Sequence, residues 1–401
     1  VVDDRYPPPL QLAREPQVEV GVVHEHRRER PLAVHLGQHR TEDPPQAPQV
    51  AQHLDQADHR EVPPTVLGCI AEEDATAAVP HECHMLVREL LAGLSDPLDP
   101  LTLDDVIPVL REIRAFRPAL AVQLTEGDRG AVLAFLSGAR HRVGVTPARR
   151  GLMGKEKLFT HLCPRPPLHR HAVLKDLDVV GTAGIPPAGL GLVFSFSGAD
   201  RARSRAVLTG EGGPDGSPYA VVQPGSRWKF KCWTDAGNAG LIEHLSRRGV
   251  IPVITSGPDP EEMAQVERIR RLCAVPFVSL AGRLTFKVLG ALIASARLYV
   301  GADSAPMHVA AAVGTPVVAL FGPSGAFNWA PWEGIDWGYT EGAPRGTRAA
   351  GRHVVVQKGW ECVPCGKDGC PGTKRSRCME EITVGEVAEA VDRLLAGRAT
   401  A

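Results

Sequence analysis

Short apolar runs alternate with stretches of helical periodicity from about residue 85 to about residue 395. The apolar runs predict strands at 119–124, 141–145, 219–223, 251–256, 277–282, 298–300 and 317–321. The periodic stretches predict helices at 86–94, 101–118, 172–181, 235–249, 261–273, 285–296 and 384–395, and a loop and helix at 125–139. This alternation predicts parallel sheets joined by crossover helices, which is an α/β fold.

The first 84 residues differ in composition from the rest. They contain no Lys, Phe or Trp, and they hold 8 of the 15 His and 11 of the 35 Pro. Repeated prolines interrupt any helix or strand, and large apolar residues are few, which predicts disorder. Two origins stay open for this segment: a wrong reading frame or misplaced start, which we favour, and a divergent extension. The irregular His spacing, without Cys partners, does not favour a metal site.

Residues 297–321 contain a strand, a loop, a helix of small residues and a second strand. Pro306 lies near the predicted helix start, where its missing N–H costs nothing. The free N–H groups of a helix that starts above the strand ends favour a bound phosphate. Asp303, Ser304 and His308 are grouped there and are candidate ligand-binding residues. The alternative is an ordinary strand–helix–strand unit in which Asp303 only caps the helix.

The string D-S-x-P-M-H-x-A-A-A-x-G-T-P-x-x-A-L-F-G-P-S at 303–324 closely resembles the donor-site motif of the bacterial heptosyltransferases, glycosyltransferase family 9. The resemblance implies the GT-B fold, in which two Rossmann-like domains face each other across a cleft. It also implies transfer of heptose from ADP-heptose to the lipopolysaccharide inner core, by direct displacement with inversion and without a metal or other cofactor. Within the motif, the resemblance adds Met307 to the donor-binding candidates.

A glycine turn with basic and aromatic residues follows the strand predicted at 219–223. Such a turn frees backbone N–H groups, and Ser226, Arg227, Lys229 and Lys231 add a hydroxyl and cations, which suits a diphosphate. A basic surface turn is the alternative. The string Q-P-x-S-R-W-x-F-K-C-W resembles the heptosyltransferase III branch of the family. Arg227 and Lys231 are the candidates for stabilising the charge on departing ADP.

Two predicted strands, at 251–256 and 277–282, end in small residues. Ligands of open α/β sheets bind beyond the carboxyl ends of the strands, which makes these ends candidates for an adenine pocket. No G-x-G-x-x-G string occurs here, so a dinucleotide cofactor is not expected. The candidate residues are Ser256, Gly257, Leu280, Ala281 and Gly282.

The 125–129 loop resembles the family's L-T-x-x-x-R segment, which faces the cleft between the domains. By this resemblance Thr125, Glu126, Asp128 and Arg129 are candidates for contact with the acceptor. A charged loop that caps the next helix is the alternative. The family's G-D-x-x-x-T loop, whose Asp is thought to be the catalytic base, is not found in the early part of this sequence, so Asp128 and Glu126 are the candidate substitutes.

A basic stretch follows this region of the sequence. It contains Arg149, Arg150, Lys155 and Lys157. Cations of this kind bind phosphate or carboxylate groups, so the stretch is a candidate for contact with an acidic acceptor. A solvated loop is the alternative explanation, and the sequence does not separate the two.

The chain carries 45 Lys and Arg against 46 Asp and Glu, and this balance gives no case for a nucleic-acid partner. It has no apolar run of 18 residues, so we expect a cytoplasmic protein in peripheral contact with the inner face of the cytoplasmic membrane, where the lipid acceptor lies. The expected organisation is a disordered or mistranslated segment at 1–84, a partial and incomplete N-terminal acceptor domain at 85–190, a linker at 191–218 and an ADP-sugar-binding domain at 219–401.

Four of the nine cysteines, Cys362, Cys365, Cys370 and Cys378, lie close together in the sequence. The pattern leaves open structural zinc, reduced thiols in a tight loop, and a disulfide. The odd total fits a reducing compartment. Two other functions also stay open. One is a catalytically dead family member that only binds an ADP-sugar, and the other is a zinc-dependent interaction module.

Overall fold

A computed structural model describes residues 103–147, 154–335, 337–339, 344–371 and 373–397, with side chains from residue 107 onward. The chain divides into Val1–Pro48 and Gln49–Ala401, and all described residues belong to the second unit. The segment 1–84, the helix expected at 86–94, Arg149 and Arg150 lie outside the described residues. None of the described helices is long and apolar enough to cross a membrane.

The described part of the chain alternates strands and helices. The strands are β1 (Leu120–Val122), β2 (His141–Val145), β3 (His161–Cys163), β4 (Tyr219–Gln223), β5 (Ile251–Ile254), β6 (Val278–Ser279), β7 (Leu298–Ala302), β8 (Val317–Phe321), β9 (Arg348–Ala350) and β10 (His353–Gln357). The helices are α1 (Leu103–Ala115), α2 (Asp128–Leu136), α3 (Ala172–Thr182), α4 (Gly198–Gly210), α5 (Asp235–Arg247), α6 (Pro260–Leu272), α7 (Phe286–Ala294), α8 (Ala305–Ala312), α9 (Ala326–Trp329), α10 (Arg377–Glu380) and α11 (Val384–Ala396).

The small sheet contains β1, β2 and β3 in that order, and both pairings are parallel. Its apolar positions face a core that includes Val143, Val145, Cys163 and Val179 of α3. The helix α2 begins at Asp128, so the last two residues of the 125–129 loop already belong to its first turn, and residues 123–127 connect it to β1. This order places the loop at the carboxyl end of β1, as expected for a parallel sheet with crossover helices.

The large sheet has seven strands in the order β6-β5-β4-β7-β8-β10-β9. All its pairings are parallel except that of β9 with β10. The chain runs outward from β4 to β6 and then returns to β7 on the other side of β4. The β4–β7 pair is therefore the switch point of the topology, where ligands bind beyond the carboxyl ends of the strands.

The central strands of the large sheet are buried along their whole length. Every position of β4, β7, β8 and β10 is buried. Their apolar runs are continuous because helices cover both faces of the sheet, so no position needs to be polar. The predicted bounds of 219–223 and 317–321 are those of β4 and β8.

Side chains fix the starts of the helices around the large sheet. Thr234 and Asp259 accept hydrogen bonds from backbone N–H groups in the first turns of α5 and α6. Thr285 does the same for α7, and Thr383 forms a capping box with Glu386 at α11. Since α5 and α6 each follow a strand, their fixed starts lie at the edge of the sheet where the strands end.

The stretch expected to be a linker contains a regular helix. Residues 191–218 include α4, whose N-terminus is fixed by a capping box between Ser197 and Asp200. Phe194 packs edge-on against Phe286 of α7. The expectation of a linker named no regular element here, and the capping box and the aromatic contact explain the helix. The division of the chain into domains stays a prediction.

Three short strands were missed in the sequence. The strand β3 has three residues, which is too short to show a period. The antiparallel pair β9–β10 extends the large sheet beyond β8, and its register joins His353 to Ala350. The buried run of β10, HVVVQ, has the composition of a strand and was the available signal.

Candidate active site

A lysine–aspartate pair lies beyond the carboxyl ends of β4 and β7. Asp303 follows β7, and Lys231 comes from the turn after β4. Lys231 Nζ donates to Asp303 Oδ2 at 2.7 Å, and the side chains are 22% and 6% exposed respectively. The two candidate residues, which the sequence places in separate motifs, therefore meet at the switch point of the sheet.

The glycine turn after β4 carries the remaining basic candidates. Ser226 is buried, and its Oγ accepts from the N–H of Trp228 at 3.4 Å. Arg227 is exposed, and its guanidinium lies over the Trp228 ring at 5.3 Å. Lys229 Nζ is 4.0 Å from a carboxylate of Glu261. The turn thus carries an exposed cation, Arg227, and a more buried one, Lys231.

The loop between β7 and α8 holds the other donor candidates. Ser304 is the N-cap residue of α8, and its Oγ donates to the Ala302 carbonyl at 3.2 Å. The His308 ring meets Trp329 edge-on, with centroids 6.5 Å apart. Met307, by contrast, is 0% exposed and belongs to the core below the loop. Its side chain packs against the sheet, so we reassign Met307 from donor contact to packing.

The ends of β5 and β6 bring the adenine candidates together. The N–H of Gly282 donates to the Ser256 carbonyl at 3.2 Å, and Leu280 is fully buried beneath them. Gly282 has φ +67°, and a Cβ there would lie 3.2 Å from Met263 Sδ. The left-handed backbone and the close sulfur both favour glycine at this position. Ala281 lies between Leu280 and Gly282 and is partly exposed.

Glu262 is a site residue that the sequence analysis missed. Its Oε2 accepts from the N–H of Gly257 at 2.9 Å. A Cβ on Gly225 would lie 3.2 Å from the same oxygen. The carboxylate therefore lies between the glycine turn after β4 and the one after β5. The only sequence signal was its place in the first turn of α6, which also suits a residue that merely stabilises the helix start.

The 125–129 loop is held by a buried lysine. Lys155 Nζ donates to Asp128 Oδ1 at 2.7 Å and to the Glu126 carbonyl at 2.8 Å, and its side chain is 8% exposed. Glu126 also pairs with Arg165 at 2.5 Å. The sequence left open whether Lys155 contacts an acidic acceptor or lies in a solvated loop, and its burial excludes the solvated loop for this residue. The ammonium is buried because the carboxylate and the carbonyl replace its water.

Thr125 lies in the connection between β1 and α2, and Arg129 lies in the first turn of α2. Gln123 Nε2 donates to the Gly127 carbonyl at 2.5 Å and lies 3.4 Å from Thr125 Oγ1. These contacts from Gln123 hold Thr125 and Gly127, while Lys155 holds Glu126 and Asp128. A loop held by these hydrogen bonds has little conformational freedom. This property is needed for positioning a substrate.

The cysteine loop packs against the segment that follows β8. The N–H of Gly366 donates to the Pro323 carbonyl at 2.9 Å, and a Cβ on Gly322 would lie 3.4 Å from Cys378 Sγ. Cys362, Cys365, Cys370 and Cys378 are free thiols. Burial, with the neighbouring thiols, raises the pKa of Cys378 to about 11. Within the described ranges no group of three His, Cys, Asp or Glu is arranged to hold a metal ion.

Comparison with solved structures defines the class of fold. The glycosyl transferase family 9 protein from Veillonella parvula matches with a TM-score of 0.58 and 20% identity, over 74% of this chain and 79% of that one. The ADP-heptose lps heptosyltransferase II of E. coli matches with a TM-score of 0.53 and 18% identity, over 84% and 94%. The fold of this chain is the GT-B fold, as the resemblance in its motifs implied.

Sequence comparison then gives the family. The sequence model described as glycosyltransferase family 9 (heptosyltransferase) matches residues 109–337. The chain therefore belongs to glycosyltransferase family 9, which confirms the family inferred from the two motifs.

Two curated relatives are similar to this chain. The lipopolysaccharide heptosyltransferase 3 of Escherichia coli is 38% identical over 225 residues, which are 56% of this chain and 65% of the relative. The protein of the same name from Escherichia coli strain K12 is 36% identical over 230 residues, or 57% and 65%. The chain thus spans just under two thirds of the length of these relatives. Their names agree with the branch indicated by the turn after β4.

Proposed function

We propose that this protein transfers heptose from ADP-heptose to the lipopolysaccharide inner core, with inversion and without a metal ion. The observation that carries the proposal is the Lys231–Asp303 pair, 2.7 Å apart at the switch point of the large sheet. The family, and relatives named lipopolysaccharide heptosyltransferase 3, support the reaction class. They also favour a transferase over the binding-only and zinc-module alternatives.

The donor diphosphate would lie over the turn after β4 and the start of α8. The cations of Lys231 and Arg227 neutralise two phosphate groups, and α8 begins directly after Asp303 and Ser304, so the positive end of its dipole lies beside Asp303. Lys231 Nζ keeps further N–H groups besides the one that Asp303 accepts. A single ammonium therefore holds both the carboxylate and the leaving group.

The adenosine would lie across the ends of β5 and β6. Ala281 and Gly282, which are at least partly exposed, offer the surface for the base, with Leu280 fully buried in the core and Ser256 hydrogen-bonded to Gly282. The Glu262 carboxylate, between this pocket and the diphosphate turn, is placed to accept hydrogen bonds from ribose hydroxyls. The proposed positions of the base, the ribose and the diphosphate thus follow the order of these parts in an ADP-sugar.

In the proposed reaction an acceptor hydroxyl attacks the anomeric carbon of heptose as the bond to ADP breaks. Lys231 and Arg227 stabilise the negative charge that develops on the diphosphate. Asp303 Oδ1, the oxygen not bonded to Lys231, is placed to orient a heptose hydroxyl. A base must take the proton of the acceptor hydroxyl. Asp128 and Glu126 stay candidates for this step, although ion pairs with Lys155 and Arg165 engage both carboxylates.

The acceptor would enter along the 125–129 loop, where Thr125, Glu126 and Arg129 are the candidate contacts. The acceptor is anchored in a lipid, so the protein would work in peripheral contact with the inner face of the cytoplasmic membrane. The restraint of the loop by Lys155 supports a positioning role, because a fixed loop holds a hydroxyl in line with little loss of entropy.

A transfer assay on the whole chain tests this proposal. ADP-heptose is supplied with core lipopolysaccharide that lacks the heptose, and released ADP and acceptor mass are measured. We expect transfer by the wild type and a roughly 100-fold loss of kcat in Lys231→Met, since the charge on the leaving group is no longer offset. Asp303→Asn should lose transfer but keep ADP binding, because it leaves the Lys231 cation in place.

Lys358→Met is the matched control for this assay. Lys358 forms an ion pair with Glu386 at 2.8 Å, with its side chain 17% exposed, so the variant also removes a shielded ammonium. It should transfer at the wild-type rate. Absence of ADP release and of any acceptor mass increase in the wild type would overturn the proposed reaction. Wild-type turnover by Lys231→Met would remove Lys231 from it.

A further inference from the structure

Three side chains from the region of α3 hold the short helix α9 and the residues after it. Lys175 Nζ donates to Asn328 Oδ1 at 2.6 Å and to the Leu168 carbonyl at 3.1 Å. His169 meets Phe327 edge-on, with centroids 4.6 Å apart. His171 stacks on Trp332 at 4.4 Å. The part of the chain that carries the small sheet thus contacts a segment that follows β8 of the large sheet.

His171 makes one of these contacts with a defined tautomer. Its Nδ1 accepts from the N–H of Val173 at 3.3 Å, so that nitrogen carries no proton. Its Nε2, 2.9 Å from the Ala330 carbonyl, is therefore the protonated nitrogen and donates to that oxygen. The same ring caps α3 and holds the residue that follows α9, so the two elements are fixed together.

The helix α9 contacts the candidate donor site directly. Trp329, its last residue, meets His308 edge-on with centroids 6.5 Å apart. The helix has four residues, which is too short to be stable without outside contacts. The position of Trp329 beside His308 therefore depends on the contacts that α9 receives, and Lys175 supplies the one charged group among those described above.

Lys175 is partly buried, and Glu126 is among the charged groups near enough to act on it. Burial lowers the pKa of the Lys175 ammonium, and the nearby negative charge of Glu126 acts in the opposite direction. Lys175 is thus partly shielded from water, electrostatically linked to Glu126, and hydrogen-bonded to Asn328. Its hydrogen bond joins the α3 region to the helix that supports the candidate donor site.

We propose that Lys175 is a positioning residue, whose bond to Asn328 fixes α9 on the α3 region and keeps Trp329 against His308. This role rests on the proposed function, because it assigns donor binding to the His308 region. Loss of the Lys175–Asn328 bond frees α9 to move, and the donor site then spends less time in the geometry that binds and reacts.

The test compares Lys175→Met, Asn328→Ala and the double variant in the full chain. Two measurements are made: ADP affinity by calorimetry, and hydrogen exchange of the amides at 326–332. We expect each single variant to weaken ADP binding by about three- to tenfold and to speed exchange at 326–332. The double variant should be no worse than either single one, since both remove the same bond. With substrate, kcat should fall more than KM rises.

Two further variants separate positioning from general destabilisation. Lys175→Arg keeps the cation and should restore most of the affinity. Lys358→Met, which removes the shielded ion pair with Glu386, should match the wild type in both measurements. A merely structural role would instead speed exchange equally in remote helices such as α11.

Wild-type affinity and exchange in Lys175→Met, or additive losses in the double variant, would overturn the proposal. If the wild type itself fails to bind ADP, the proposed function fails. The exchange rates at 326–332 still decide whether the Lys175–Asn328 bond fixes α9.

Discussion

Among the lysines with shielded ammonium groups, Lys231, Lys155 and Lys175 have partners of different charge. Lys231 is paired with the carboxylate of Asp303, and Lys155 with that of Asp128. Lys175 donates to a neutral amide oxygen and a carbonyl, and its burial lowers its pKa. A carboxylate partner offsets the cost of taking a cation out of water, whereas neutral oxygens offset it only in part. These contacts join positions 72, 27 and 153 residues apart, which no local sequence pattern reveals.

A buried histidine should make the stability of the fold depend on pH. His353 is 1% exposed, and Glu333 lies 3.4 Å away. Burial lowers its pKa from 6.5 to about 4, while Glu333 acts in the opposite direction. Between these values the unfolded state binds a proton that the folded state does not. The contribution of His353 to stability is therefore complete above pH 6.5 and falls as the pH drops toward 4, by up to about 1.4 kcal/mol per pH unit.

Urea denaturation at pH 7, 6 and 5 measures this effect. The wild type should lose unfolding free energy at each step, and His353→Leu should lose less, because it cannot take up the proton on unfolding. Parallel slopes for the two proteins would show that His353 is not the group responsible.

At the scale of elements, sequence pattern predicts the buried strands best. The runs YAVVQ and VVALF become β4 and β8 with the predicted bounds, because strands buried on both faces have only one kind of environment. Short elements are harder, since the three residues of β3 show no period. The residues of the candidate site also differ in how far the sequence reveals them. Its motif residues could be predicted, whereas Glu262 and Asn328 act only through contacts made by the folded chain.

Two helical glycines should respond to alanine with opposite signs. In Gly237→Ala of α5 the new Cβ would lie 2.3 Å from the Trp233 ring. That ring is 3% exposed, and its Nε1 donates to the Ile382 carbonyl at 2.8 Å, so it has little freedom to move. We expect a loss of about 1–3 kcal/mol in unfolding free energy. In Gly181→Ala of α3 the Cβ meets no atom within 4 Å, so we expect a gain of about 0.4–1 kcal/mol.

Chemical denaturation of the two variants and the wild type measures both changes under the same conditions. Gly181→Ala also serves as the control for helix propensity, since it makes the same substitution where space is open. A stabilising Gly237→Ala would mean that Trp233 moves aside at little cost, and the packing argument for this glycine would fail.

At the scale of the whole molecule, the candidate site depends on contacts between the regions of the two sheets. His171 and Lys175 reach α9 and Ala330, and Trp332 Nε1 donates to the Leu190 carbonyl at 2.6 Å. The turn after β4 of the large sheet supplies Lys231, which Asp303 holds in place. The region of the small sheet supplies the 125–129 loop and holds α9 through Lys175. A ligand bound at the switch point therefore stabilises contacts from both regions, and its effect should appear in the unfolding of the full chain.

ADP should stabilise the full chain equally with Mg²⁺ and with EDTA. Ligand that binds only the folded state raises the unfolding free energy, by about 2.7 kcal/mol when its concentration is 100 times Kd. In the proposed site Lys231 and Arg227 neutralise the diphosphate, so no divalent ion is needed for that charge. Thermal unfolding with ADP in either buffer measures the shift, and Lys231→Met should reduce it in both. A shift that disappears in EDTA while the protein without ADP unfolds unchanged would mean that a metal ion, rather than these side chains, carries the diphosphate.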